Sequence, residues 1–347
     1  MNEQTTISPL LGCLLGTAVG DAIGLPAEGL SRAKAERYCR GGLRHGLIWG
    51  RGMFSDDTEH TLMVVVALGK AGDALAFQRR LGWSLRWWML ALPAGVGLST
   101  AKAIVRLWLG FPVSRSGVGS AGNGAAMRSA VVGVMFREDQ ARRREFARAA
   151  CRVTHTDGRA EESAQLVAEA AALAAHHVPL KAVLDGLRPL LRSREMLEHW
   201  AKLESGLERV VSVAEFAGEI GCGKGVRGFA PDTVAVALFA WLRHRGDYGL
   251  LIREVVACGG DTDTVAAIAG GICGAETGEA GIPVEWVTGI CDWPRSVGYI
   301  RKLAAALEDP AVNPMPTLNW PLIPVRNLVF LLVVLGHGFR RCWPVSK

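Results

Sequence analysis

The chain has 347 residues, half of them hydrophobic, so it can bury a large core as one sizeable domain or two small ones. Its net charge of +6 would suit a polyanion, yet the bases are scattered. The densest cluster, "QARRREFARAACR" from Gln140, reads as the solvated face of an ordinary helix, so nucleic acid is not an expected partner, whereas a small phosphate-bearing substrate is compatible. The eight cysteines (13, 39, 151, 222, 258, 273, 291 and 342) form no C-x-x-C, which excludes a recognisable disulfide frame or zinc site and fits a reduced, cytoplasmic protein.

The N-terminus lacks the basic start and small-residue cleavage site of a signal peptide. The first helical segment, Leu10 to Ile23, is interrupted by glycines and Asp21, and is followed by a loop that carries Glu28 after Pro26. A second helix, Thr58 to Leu68, opens with "SDDTE". Ser55 can cap it, while Asp56, Asp57 and Glu59 oppose the positive end of its dipole. Helical spacing continues through Leu75 to Leu92 and Thr100 to Leu109.

"SGVGSAGNGAAMRSAVVG" follows, in which Gly122, Asn123 and Gly124 permit close backbone approach and Ala125 to Met127 begin a small-residue helix. Helices are predicted over Glu138 to Val153, Ala160 to Ala175, Leu180 to Leu191 and Ser193 to Gly206. His155 sits at the end of the first of these, where a histidine is more often a cap or polar contact than a catalyst. "GKGVRG", Gly223 to Gly228, spells a dinucleotide fingerprint, but the segment before it reads as helix rather than strand, so that assignment fails. A flexible loop remains, with Gly225, the cations Lys224 and Arg227, and Phe229; it could hold phosphates and a base, or be an ordinary glycine-rich turn.

Helices then span Pro231 to His244 and Tyr248 to Cys258. "GGDTDTVAAIAGGICGA" repeats the earlier design: Asp261 to Thr264 open a helix, Thr262 to Cys273, that is apolar on every side and therefore buried. Two acids at the edge of a core call for a cation. After Val284 to Ile290, the longest uninterrupted apolar run is Leu328 to Leu335, short of the ~20 residues of a membrane span. It is expected to be a C-terminal helix docked on the core, with a membrane-surface or dimer contact as the alternative. The sequence thus predicts an all-α fold, divided into a domain over 1–310 and a C-terminal extension over 311–347.

The segments "LGCLLGTAVGDAIGLPAE", "FSDDTEHTL", "GNGAAMR", "VTHTD" and "GGDTDTVAAIAGGICGA", in this order, resemble the ADP-ribosylglycohydrolase family. That resemblance implies a compact all-α domain with two Mg²⁺ ions in a cleft, Mn²⁺ being the alternative metal, and hydrolysis of bonds between ADP-ribose and an acceptor. It implies metal ligation by Ser55, Asp56 and Asp57 from one side and by Asp261, Asp263 and Thr264 from the other. Ser120, Gly122, Asn123, Gly124, His155, Gly225 and Phe229 would bind substrate, and Glu28 and Asp57 would be catalytic. Ser55 replaces a common Thr with retention of the hydroxyl, and Ser120 occupies a slot where arginine-linkage hydrolases carry Asp. The expected partner is an ADP-ribosylated protein or an ADP-ribose derivative, the expected state a monomer, with the C-terminal apolar segment as a possible dimer contact. An inactive ADP-ribose-binding module and a metal-dependent hydrolase of another nucleotide-type substrate are the alternatives.

Overall fold

The computed structural model describes residues 8–342. Among these the fold is all-α, seventeen helices joined by short turns, 3-10 segments and isolated β-bridges. The first third contains α1 (Pro9–Gly24), α2 (Arg32–Arg40), α3 (Asp56–Leu68), α4 (Ala74–Leu90) and α5 (Leu98–Trp108). A 3-10 turn over Asn123–Arg128 leads to α6 (Ala130–Met135), α7 (Gln140–Arg152), α8 (Gly158–Ala175) and α9 (Leu180–Leu187). The chain continues through α10 (Arg194–Arg209), α11 (Val213–Glu219), α12 (Ala230–Arg243), α13 (Tyr248–Ala257) and α14 (Thr262–Thr277). It closes with α15 (Val284–Gly289), α16 (Val297–Glu308) and α17 (Leu322–Cys342).

Two of these helices carry weak sequence signals. α2 buries only Ala35 and Cys39, too little for an apolar stripe, and α6 is six residues long and almost wholly buried, so it shows no period. α16 does bury Ile300, Leu303 and Ala304 at helical spacing, a stripe that periodicity alone could have found.

The centre of the core is an antiparallel pair, α1 on α14, in which glycines bring backbone against backbone. A Cβ added at Gly12, Gly16 or Gly20 would lie 2.0, 2.2 or 2.1 Å from the carbonyl oxygens of Gly274, Gly270 and Ala266. At Gly24 it would meet the Thr262 carbonyl at 2.5 Å, and the Thr262 hydroxyl donates to the Gly24 carbonyl at 2.8 Å. Glycine every fourth residue therefore fixes the register of the two helices, because any slip would drive a side chain into a carbonyl. That register brings the C-terminal end of α1 to the N-terminus of α14.

The C-terminal helix meets the core along one edge only. Ile323, Arg326, Asn327 and Phe330 are buried, while Leu328, Leu332, Leu335 and Phe339 on the other side are exposed. Two segments are long and apolar enough to cross a membrane by length and composition: Pro9–Ala27, which is 94% buried in the core, and Leu322–Arg340, which is 22% buried. Interrupted by Pro324, Arg326 and Asn327 and by Gly and His but by no acid, the second segment extends well beyond its eight-residue uninterrupted run.

Candidate active site

Ser55 starts α3 in an extended conformation, and its hydroxyl accepts from the Asp57 N–H at 3.3 Å and donates to Asp57 Oδ2 at 3.1 Å. The cap is thus built, and it also orients a neighbouring acid. Asp21 of α1 holds the same helix end: its carboxylate accepts from the Ser55 N–H at 2.9 Å, the Thr58 N–H at 3.1 Å and the Thr58 hydroxyl at 2.6 Å. Asp57 lies inward, buried, and Asp56 is half-buried at the edge.

From the opposite side α14 brings Asp261, Asp263 and Thr264. The Thr264 hydroxyl donates to Asp57 Oδ2 at 3.2 Å, which joins the two acid clusters directly. Oxygens of Asp21, Asp57 and Asp263 lie within 4.8 Å of one another. Asp21 also clamps α3, because its oxygens accept from the Ser55 and Thr58 donors. Asp57 Oδ1 and Asp263 Oδ1 are buried with no hydrogen-bond partner. Two such orphaned carboxylate oxygens are costly unless a cation faces them, and an all-oxygen donor set fits a hard divalent ion.

Electrostatics agrees. Burial, followed by repulsion from Asp21 and its acidic neighbours, holds Asp56 and Asp57 well above the ordinary carboxylate range. Asp263 is raised well above it by burial and then by the charges of Glu28, Asp261 and Asp57. Asp21 is pushed up to about 6 by burial, against the opposing pull of its hydrogen bonds to Thr58 and Ser55. Glu28 is exposed at the rim, on the loop after α1, and its charge acts on both Asp56 and Asp263.

The loops around this centre are stitched together by backbone. Gly29 N–H donates to the Gly260 carbonyl and Gly260 N–H to the Leu30 carbonyl, both at 2.8 Å, and Asp261 N–H donates to the Val226 carbonyl at 2.9 Å. Asn123 N–H donates to the Gly228 carbonyl at 3.1 Å, and its side-chain amide to Asp261 Oδ2 at 2.6 Å and the Thr233 hydroxyl at 3.1 Å. The Glu28 loop, the Gly223–Phe229 loop and the start of α14 therefore form one rim.

Gly122 and Gly124 flank the imidazole of His155. A Cβ at Gly122 would stand 3.3 Å from its Nε2, and one at Gly124 3.1 Å from its Cε1. His155 is buried, with Nδ1 against the Thr154 hydroxyl at 2.8 Å, and burial with the nearby Arg128 charge lowers it to about 4, so the ring is neutral near pH 7. Ser120 accepts the Gly122 N–H at 3.3 Å. Phe229 is half-buried at the N-cap of α12, bridged to Gly122, with the Arg159 guanidinium 5.4 Å from its ring.

Gly225 and Arg227 differ from the loop-ligand expectation. Gly225 N–H donates to the Cys222 carbonyl at 3.0 Å, and its Cα packs so closely on Gly260 that a Cβ would lie 2.9 Å from that residue's nitrogen. Arg227 is spent on Asp232 of α12 at 2.6 Å. Of the two loop cations, Lys224 is the one with no ion pair among the described residues.

Three buried groups behind the site carry no local sequence signal. Arg128, inside the G-N-G-A-A-M-R segment, donates to His60 Nδ1 at 3.1 Å, the Ala150 carbonyl at 2.9 Å and the Thr154 hydroxyl at 2.6 Å. Glu59 accepts from Trp88 Nε1 at 2.7 Å and from Arg295 at 2.5 Å, so it serves the core rather than the helix dipole. Arg326 of α17 grips Asp292 with two hydrogen bonds, at 3.0 and 2.5 Å.

Comparison with known proteins agrees with this geometry. The ADP-ribosylglycohydrolase family model matches residues 2–314. An uncharacterised protein of Archaeoglobus fulgidus is 32% identical over 315 residues, covering 86% of this chain and 95% of that protein. The ADP-ribosylarginine hydrolase Tri1 of Pseudomonas putida is 28% identical, covering 90% of this chain and 81% of that one. A solved ADP-ribosylglycohydrolase-related protein complex superimposes with a TM-score of 0.62 at 30% identity, over 86% of this chain and 96% of the matched chain. Motifs, fold and the joined acid clusters lead to one assignment: this chain belongs to the ADP-ribosylglycohydrolase family.

Proposed function

We propose that the chain is a Mg²⁺-dependent hydrolase that cleaves the bond between C1″ of ADP-ribose and a protein side chain or small acceptor, reversing ADP-ribosylation. The observation that carries this reading is the pair of buried, unpartnered oxygens, Asp57 Oδ1 and Asp263 Oδ1, facing the same acid-lined centre. Ser55, Asp56 and Asp57 with Asp261, Asp263 and Thr264 would hold two ions, and the absence of His or Cys from this set favours Mg²⁺ or Mn²⁺ over Zn²⁺. Such ions supply grip on hydroxyl oxygens and a lowered pKa for bound water.

The chain's own groups do the rest. Cleavage at C1″ passes through an oxocarbenium-like state that needs a proton for the leaving group and a positioned water. Glu28, at the rim and electrostatically coupled to Asp56 and Asp263, is the group for that proton or water. Gly122, Asn123 and Gly124 admit the ribose and phosphates close to backbone, neutral His155 borders them, and Phe229 offers a ring to the adenine. Ser120 leans the acceptor away from arginine toward linkages such as serine or O-acetyl-ADP-ribose. Retention of all four acids, Asp56, Asp57, Asp261 and Asp263, argues against a binding-only relative. A cytoplasmic setting suits the seven unpaired cysteines among the described residues.

The test is a panel of arginine-, serine- and O-acetyl-linked ADP-ribose assayed with purified protein and Mg²⁺. Turnover of one linkage, abolished by Asp261→Asn with helical content intact, is expected; full activity in excess EDTA would sink the reading.

A further inference from the structure

We propose that the outer side of α17, with the turns beside it, is a docking surface for an anionic lipid bilayer. The charge distribution carries the inference. Asp and Glu are absent from residues 74–137 and 310–347, which contain twelve of the chain's 39 Lys and Arg, so the remaining 27 bases are outnumbered by 33 acids elsewhere. The bases are thus scattered but the acids are not, and the positive balance belongs to residues 74–137 and 310–347, where the bases other than the buried Arg128 and Arg326 can contribute to surface charge. These are also the regions where large apolar side chains face solvent.

α17 turns Val325, Leu328, Leu332, Leu335 and Phe339 outward, where the exposed side of a soluble helix would be polar. Its other edge is fixed: Phe330 packs with Leu25, Leu47 and Met53, and the Asn327 side chain donates to the Ala91 carbonyl at 2.8 Å. A helix held this way along its length lies on a bilayer rather than through it. The anchor at Ala91 makes the surface continuous with the end of α4, where Trp83, Trp87 and Leu90 form an exposed stripe, and with exposed Leu92. On the other flank, Ile48, Val333 and Val334 pack against that same cluster around Phe330, and Trp49 follows Ile48 at the tip of a tight turn. Trp49 is 92% exposed and sits at φ 40°, an unfavourable backbone for a tryptophan, with Arg44 and Arg51 exposed on either side. Tryptophans at the edge of an apolar face, with Arg44 and Arg51 flanking Trp49, match the interfacial zone of an anionic membrane. Because His337 Nε2 meets the Pro26 carbonyl at 3.1 Å, the same helix borders the Glu28 loop, so docking would set the rim of the site beside the membrane.

The experiment is cosedimentation of the full chain with vesicles of phosphatidylcholine alone or with 30% phosphatidylglycerol added, a probe composition of order one anionic lipid in three. Binding at least about tenfold stronger to the anionic vesicles, weakened by salt, is expected. The variant Trp49→Ser/Leu332→Ser/Leu335→Ser, altered only at exposed positions, should lose about tenfold or more of that binding with an unchanged circular dichroism spectrum and melting midpoint. Equal binding by parent and variant, no binding to either vesicle, or a vesicle-indifferent dimer that Leu332→Glu dissociates in sedimentation equilibrium would each overturn the proposal, the last by showing a second copy on this face.

Discussion

Arg326 Nη2 donates to the Phe54 carbonyl at 2.6 Å, so a residue of the C-terminal helix holds the backbone immediately before Ser55. The family match ends at residue 314, yet α17 reaches back under the acid cluster. Asp292 completes the support by accepting the Phe54 N–H at 3.2 Å while paired with Arg326. Arg326→Met would leave Asp292 buried without its cation, which costs about 3–5 kcal/mol. The expected result is a lower urea midpoint and loss of turnover, largely recovered on adding Asp292→Asn. A single variant as stable as the parent would show that α17 does not support the site.

The glycine register between α1 and α14 predicts a second, larger sensitivity. Gly20→Ala places a methyl 2.1 Å from the Ala266 carbonyl oxygen, and backbone cannot yield as a flexible side chain can. The cost should reach or exceed the upper end of the range of about 1–3 kcal/mol for overpacking. Gly336→Ala on α17 meets nothing within 4 Å and should be neutral or slightly stabilising. Thermal midpoints of the two variants provide the comparison, and equal midpoints would contradict the role of the stripe.

Proton linkage gives a third. Asp21, raised to about 6, and Asp56, Asp57 and Asp263, each raised well above the ordinary carboxylate range, hold protons more tightly folded than unfolded. Their contribution to stability is complete below the unfolded value of 3.8 and is lost as pH rises through 6 and beyond. His155, lowered from 6.5 to about 4, acts in the opposite sense: its contribution is complete above 6.5 and is lost as pH falls through about 4. Mg²⁺ relieves only the crowding of acids, so the rise in melting midpoint on adding Mg²⁺ should be larger at pH 8 than at pH 5, and Asp263→Asn should flatten that difference. A Mg²⁺ effect of equal size at both pH values would count against cation binding by these acids.

What the sequence reveals and conceals here follows from distance along the chain. Ser55 to Asp57 and Asp261 to Thr264 are legible because a helix start is a local pattern, and an acid pair before a wholly apolar helix is conspicuous within ten residues. Asp21 is not legible: it reads as a break in an apolar run, and becomes a clamp only when α1 packs against the start of α3 and sets it against Ser55 and Thr58. Arg326 is hidden for the same reason, its partners lying 34 and 272 residues away. Arg227 misleads in the reverse direction, since a cation in a glycine loop suggests phosphate while its partner Asp232 waits in the first turn of α12.

Glu28 separates catalysis from binding. It is exposed on a loop whose neighbour Gly29 takes a positive φ of 70°, and the loop is tied by Gly29 N–H to the Gly260 carbonyl beside the second acid cluster. Its carboxylate lies outside the proposed ligand set, so removing its charge should leave the fold intact and ease the repulsion it exerts on Asp56 and Asp263. If Glu28 moves a proton or positions the attacking water, Glu28→Gln should reduce turnover by about 10²–10⁴-fold, the range for loss of a general acid or base. Affinity for ADP-ribose in the presence of Mg²⁺, measured by calorimetry, should change far less, because the groups proposed to hold ribose, phosphate and adenine are untouched. Turnover equal to the parent would remove Glu28 from the chemistry. A loss of ADP-ribose affinity as large as the loss of turnover would instead make it a binding residue.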